Sequence, residues 1–222
     1  MVRLTLQADD ALDQSSKVVC ITGTGTGVGK TVVTGLLAKE YGKSELVVTQ
    51  KWVQSGDLQS PDIQVHDALS NQTCGDVWAA QRQVYSFEHP VSPHLAAELS
   101  NASVDINTLM NATHVLKDNF DRVLVETSGG IMVPLTRQHS FADALSMMSI
   151  PTIVVVPNQL GCINHALLTL SILQANHIPV MGFIMNHWGL KIDAMHHDNP
   201  RIIADMSNAK YLGDVWCCDE TP

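Results

Sequence analysis

"VVCITGTGTGVGKTVVTGLL", residues 18–37, reads as a buried strand, a glycine-rich turn and the opening of a helix. The turn closes on Gly29, Lys30 and Thr31. In such a loop the glycines let backbone N–H groups curl around an anion, and the helix N-terminus adds its dipole. The lysine then bridges β- and γ-phosphates while the threonine hydroxyl ligates Mg²⁺. Five residues separate Gly23 from Gly29, one more than the usual spacing of such loops.

The rest of the chain supplies the scaffold this loop needs. Val/Ile-rich runs recur at 18–23 ("VVCITG"), 45–50 ("ELVVTQ"), 122–126 ("RVLVE"), 151–157 ("PTIVVVP") and 179–186 ("PVMGFIMN"). Helical stretches lie between them, clearest in "KTVVTGLLAKEYG", "SPHLAAELS", "DINTLMNATHVLKDNF" and "GCINHALLTLSILQANH". Near-continuous apolar runs suit strands buried on both faces, and strands alternating with helices need crossover connections. The expectation is an α/β, doubly wound, mainly parallel sheet with helices on both faces. Residues 1–16 are expected to form an N-terminal extension, and 17–222 a single P-loop domain.

Composition limits the partners. A net charge of -9 over 222 residues leaves no basic face for nucleic acid. No apolar run approaches the roughly 20 residues of a membrane span, and the acidic N-terminus lacks the apolar region of a secretory signal. The five cysteines (Cys20, Cys74, Cys162, Cys217, Cys218) show no paired metal-type spacing, which points to a reducing, cytoplasmic setting.

In open parallel sheets ligands bind beyond the carboxyl ends of the strands. That rule selects Gly23–Thr31, Lys51–Gly56, Glu126–Gly130, Asn158–Asn164 and Asn186. Glu126, expected at a strand tip, can reach a cation at Thr31, and Lys51 can neutralise a transferring phosphoryl group. "HWGLKIDAMHHD" holds His187, His196, His197 and Asp198, but no zinc-like spacing, and reads as a solvated helix or loop. Cys217-Cys218 reads as an incidental pair, and His94 and His165 as packing or capping residues.

Over about residues 18–190 these pieces resemble dethiobiotin synthetases. The resemblance rests on "TGTGTGVGKT", whose longer loop is a family trait, and on "KWVQSG", "YSFEHPVSPHLAAE", "VLVETSGG" and "LGCINHALLT". It implies an ATP- and Mg²⁺-dependent ligase of biotin biosynthesis, acting on 7,8-diaminononanoate (7,8-diaminopelargonate) and CO₂ or bicarbonate. Gly25, Thr26, Gly27, Val28, Gly29, Lys30 and Thr31 would cradle ATP, with Asn186 reading its base. Lys30 and Lys51 would hold phosphate and carbamate charge, and Thr26 and Ser55 would bond the reacting groups. Thr31, Glu126 and an aspartate would hold Mg²⁺. Asp62 is preferred to Asp67 because it follows soon after the lysine loop. Gly161, Cys162 and Asn164 would receive the substrate carboxylate from the neighbouring subunit of a homodimer.

The chain departs from the family pattern at Trp52, where proline is usual, and at Thr127-Ser128, where glycine-alanine is usual. Thr127 and Ser128 are expected to intrude where backbone approaches the ligand, and Trp52 to reshape the carbamate side, so a catalytically impaired nucleotide-binding homologue is one rival. A partitioning-type ATPase switch is another, although its second lysine is replaced here by Gly25. A corrin-type amide ligase would need a glutaminase domain, for which 222 residues leave no room.

Overall fold

The computed structural model describes residues 2–7, 15–59, 61–188 and 194–217. Eight strands form one sheet: β1 (Val2–Leu6), β2 (Val18–Gly23), β3 (Val47–Ser55), β4 (Gln83–Phe87), β5 (Arg122–Gly130), β6 (Thr152–Pro157), β7 (Val180–Trp188) and β8 (Tyr211–Cys217). Their order is β1-β8-β7-β6-β2-β5-β3-β4. Every neighbouring pair is parallel except β1 with β8. The helices are α1 (Lys30–Tyr41), α2 (Pro61–Ser70), α3 (Ala79–Arg82), α4 (Pro93–Leu99), α5 (Ile106–Asn119), α6 (Phe141–Met148), α7 (Cys162–Ala175) and α8 (Ala194–Ser207).

Two apolar layers cover the sheet. Val33, Leu36 and Leu37 of α1 pack on Val19, Ile21, Leu124 and Ile153 on one face. On the other, Leu109 and Leu116 of α5, Phe141 and Leu145 of α6, and Ala166 and Leu170 of α7 bury Trp52, Val123, Val125, Val154 and Phe183. Both central strands, β2 and β6, are buried along almost their whole length, as their unbroken Val/Ile composition requires. No helix of the described residues is long and apolar enough to cross a membrane.

From β2 the chain crosses through α1 to β3, beyond β5; from β5 it crosses through α6 to β6, on the other side of β2. The connections therefore diverge at β2 and β5, and the crevice at their carboxyl ends is where such a sheet receives a ligand. Two glycines make the approach possible. A Cβ on Gly23 would lie 2.5 Å from Val28 Cγ2, and Gly29, at φ 95°, sits in the left-handed region just before α1.

The structure adds to one expectation and corrects another. Within the expected N-terminal extension, Val2–Leu6 pairs antiparallel with β8. The strands carrying Lys51 and Glu126 run on to Ser55 and Gly130, so both residues lie inside strands rather than at their ends. Polar residues there face a polar crevice, so the apolar run stops before the backbone pairing does. The elements β4, β8, α2, α6 and α8 carry weaker patterns: β4 is a half-buried edge strand, and α8 has Pro200 in its interior.

Candidate active site

The loop from Thr24 delivers Lys30 and Thr31 into the first turn of α1. Lys30 Nζ donates to the Gly25 carbonyl at 2.8 Å, curling the side chain over its own loop. Burial, and then the nearby Lys51 charge, lower its pKa to about 8. Thr31 Oγ1 lies 3.1 Å from Glu126 Oε1 and 3.2 Å from Asp62 Oδ1. Three hard oxygen donors from α1, α2 and β5 thus meet at one point.

Lys51 and Glu126 are register partners on β3 and β5. Lys51 Nζ contacts Glu126 Oε1 at 2.6 Å, Asp62 Oδ2 at 2.7 Å and the Thr127 carbonyl at 3.2 Å. Burial opposes the charge on Lys51, but Glu126 and Asp62 outweigh it and hold its pKa above the usual lysine value. Burial likewise opposes the Glu126 carboxylate, and Lys51 with His66 outweighs it, holding the group well below the usual range. His66 Nε2 lies 2.7 Å from the other oxygen, Glu126 Oε2.

These groups open onto a cavity of about 660 Å³. Thr26, Gly27, Gly29, Lys30, Thr31, Lys51, Ser55, Asp62 and Glu126 all line it, as do Gln54, Ser92 and Ser128. Asp67 is turned away: it makes two bonds to Arg82, at 2.5 and 3.0 Å. Asn186 is buried outside this lining, its amide donating to the Val28 carbonyl at 2.9 Å. Gly161 and Asn164, at the start of α7, are exposed and also stand outside it, and Cys162 is packed into the core with its thiol pKa raised by burial.

The expected intrusions are not all seen. Trp52 is fully buried on the opposite face, its Nε1 donating to Thr113 Oγ1 at 2.9 Å and its ring stacked on Phe141. Alternation along β3 sends consecutive residues to opposite faces, so Trp52 does not reach the cavity. Thr127 is likewise buried, bonded to Thr22 Oγ1 at 3.0 Å. Ser128 does line the cavity, where its hydroxyl donates to the Val53 carbonyl.

The histidine-rich segment also differs from expectation. His187 and His196 are buried, not solvated; His187 bonds Asp214 Oδ1 at 2.6 Å and stacks on Trp216. Residues 189–193 and the Cys218 half of the cysteine pair lie outside the described residues. Among the described residues no three His, Cys, Asp or Glu side chains group as a metal site. His66 is the site residue that sequence reading missed. It lies four residues after Asp62, a spacing that shares one face of a helix, but the helix itself went unread.

A doubly wound sheet with a phosphate loop, and a lysine and two carboxylates beside its threonine, defines a P-loop ATP-dependent enzyme. The family model described as "AAA domain" matches residues 17–216. Among solved structures, a ParA family ATPase from Chlorobium tepidum superposes with TM-score 0.54 at 12% identity, over 89% of this chain and 83% of that one. A chain of the MinC:MinD cell division complex of Aquifex aeolicus gives 0.52 at 19% identity, over 88% and 79%. At these identities the likeness concerns the fold alone.

The sequence relatives are more specific. The chain is 32% identical over 207 residues to the ATP-dependent dethiobiotin synthetase of Brachyspira hyodysenteriae, covering 90% of this chain and 92% of that protein. It is 33% identical over 205 residues to that of Halalkalibacterium halodurans, covering 88% and 82%. The chain belongs to the ATP-dependent dethiobiotin synthetase family, and is an ATP-dependent ligase.

Proposed function

We propose that this enzyme closes the ureido ring of dethiobiotin from 7,8-diaminononanoate, CO₂ and ATP, releasing ADP and phosphate. The observation that carries the reading is the convergence of Lys30, Thr31, Lys51, Asp62 and Glu126 on one cavity beside the phosphate loop. One amine of the diamine adds to CO₂ and loses a proton, giving a carbamate. A carbamate oxygen attacks the γ-phosphorus, and ADP leaves. The second amine attacks the resulting carbonyl carbon, and the C–O bond to phosphate breaks as the ring closes.

Each residue has a part in this scheme. The backbone from Gly25 to Gly29 and the Lys30 ammonium hold the triphosphate. Lys51, already poised between two carboxylates, meets the charge on the carbamate and the transferring phosphoryl group, where a fixed cation stabilises the transition state most. Thr26 and Ser55 hydrogen-bond the reacting groups from the cavity wall. Asn186, whose amide donates to the Val28 carbonyl behind the loop, is assigned to the base.

Thr31, Asp62 and Glu126 would hold Mg²⁺. Two carboxylates and a hydroxyl are the oxygen set this cation takes when phosphates and water complete its octahedron. Bound there, it would neutralise charge on the β- and γ-phosphates.

Gly161, Cys162 and Asn164 are assigned to the substrate carboxylate of a neighbouring subunit. Supporting this, Asn164 is exposed at the N-terminus of α7, and these residues do not line the cavity of their own chain. Free N–H groups at a helix start suit a carboxylate.

Phosphate release, measured with ATP, bicarbonate and the diamine, tests the reading. Release should require all three together; undiminished release without the diamine would refute it.

A further inference from the structure

Glu126 uses its two oxygens differently. Oε1 faces Lys51 and Thr31, whereas Oε2 is taken by His66 Nε2 at 2.7 Å. Both side chains are shielded from solvent, at 0% exposure for His66 and 1% for Glu126. His66 Nδ1 is also buried, and among the described residues no hydrogen-bond partner reaches it. A neutral imidazole donating from Nε2 leaves only a bare lone pair at Nδ1, whereas an imidazolium would bury a second N–H with no acceptor.

The donor comes from a helix that already contributes to the site. Asp62 and His66 are four residues apart on α2, about 40° around a helix with 3.6 residues per turn. One face of α2 therefore presents a carboxylate to Thr31 and Lys51, and an imidazole to the back of Glu126. Ile63 and Ser70 are the other buried residues of this helix, so the face that carries His66 is turned into the protein.

We propose that His66 is a positioning residue for the metal site: by holding Glu126 Oε2, it leaves Oε1 alone to face the cation. The proposal rests on the reading that Thr31, Asp62 and Glu126 hold Mg²⁺. Partners of this kind, one bond behind a ligand, typically contribute tenfold or more to metal affinity.

The test measures ATP binding by calorimetry across a Mg²⁺ series, without turnover. His66→Leu keeps the volume and removes the donor, His66→Ala removes it without crowding, and His66→Gln supplies an amide N–H. Thermal unfolding checks that each variant is folded. The Mg²⁺ concentration for half-maximal ATP binding should rise about tenfold in the Leu and Ala variants and stay within about twofold in the Gln variant. ATP binding in chelator should be the same in all.

An unchanged Mg²⁺ midpoint in whichever of the Leu and Ala variants is folded would overturn the proposal. An equal loss of ATP binding in chelator would also overturn it, because the role would then be one of packing. If the unmodified protein binds ATP with no Mg²⁺ dependence, the metal reading fails and this proposal with it. That outcome is separate from a failure confined to the variants.

Discussion

Lys51 and Glu126 are paired twice over: their Cα atoms are register partners on adjacent parallel strands, and Nζ and Oε1 stand 2.6 Å apart with both side chains shielded from water. Removing one partner strands the other charge in the interior. Lys51→Met should therefore cost about 3–5 kcal/mol of stability. Adding Glu126→Gln should recover more than half of that loss while leaving turnover abolished. Urea unfolding of Lys51→Met, Glu126→Gln and the double variant measures this, and strictly additive losses would mean the two side chains are not energetically coupled.

Lys30 and Lys51 should separate kinetically. Lys30→Ala removes a charge-assisted contact to the triphosphate, worth about 1.5–3 kcal/mol, so ATP affinity should fall about ten- to a hundredfold. Lys51→Ala should act mainly on kcat, by on the order of a hundredfold, with a smaller change in ATP affinity. Calorimetry and steady-state kinetics report the two effects, and an unchanged Kd for the Lys30 variant would remove it from the phosphate site.

Asp62 and Asp67 divide site from scaffold. Asp62→Asn should raise the Mg²⁺ requirement of turnover with little change in unfolding. Asp67→Asn should leave that requirement alone and lose about 1 kcal/mol or more, because it weakens the partly buried bond to Arg82. A Mg²⁺ titration in which the two variants exchanged these behaviours would refute the assignment.

Subunit mixing tests the shared site. Lys51→Ala and Asn164→Ala chains should each be inactive alone. In a mixed two-fold dimer one site carries both defects and the other neither, so random exchange should restore roughly a quarter of unmodified activity. A mixture that exchanged subunits and stayed inactive would confine Asn164 to its own chain.

A pH effect should appear at the start of α6, where Ser140 and Asp143 form a capping box. The Ser140 hydroxyl, then its backbone N–H, hold the Asp143 carboxyl below its usual value. A depressed pKa gives stability that is present above the unfolded value and fades as pH falls through the folded one. Asp143→Asn should thus cost about 1 kcal/mol at neutral pH, with the gap closing toward pH 3. A gap that widened in acid would contradict the cap.

Some of this was legible in the sequence for physical reasons. The runs at Val18–Gly23 and Thr152–Pro157 are buried on both faces, so composition alone marks them. Lys30 and Thr31 follow from a loop whose backbone has few alternatives. The extent of β3 was hidden because a strand ending in a crevice trades apolar residues for Gln54 and Ser55. Trp52 was misjudged for want of the strand's phase, which sends it to the Phe141 layer. The face of α2 was invisible because it buries His66 and Ser70 beside a single large apolar residue, Ile63. Once that helix is known, Asp62 and Asp67 fall about 140° apart around it, and their separate fates follow.

The short antiparallel strand Val2–Leu6 covers β8, which would otherwise present a row of unpaired backbone groups at the end of a long parallel sheet. An open edge of that kind is a template for another chain. The sheet thus ends on a five-residue strand, and a short edge offers another chain a smaller template. A preparation trimmed to begin near Lys17 should keep its nucleotide site while becoming prone to sticking to copies of itself as its concentration rises.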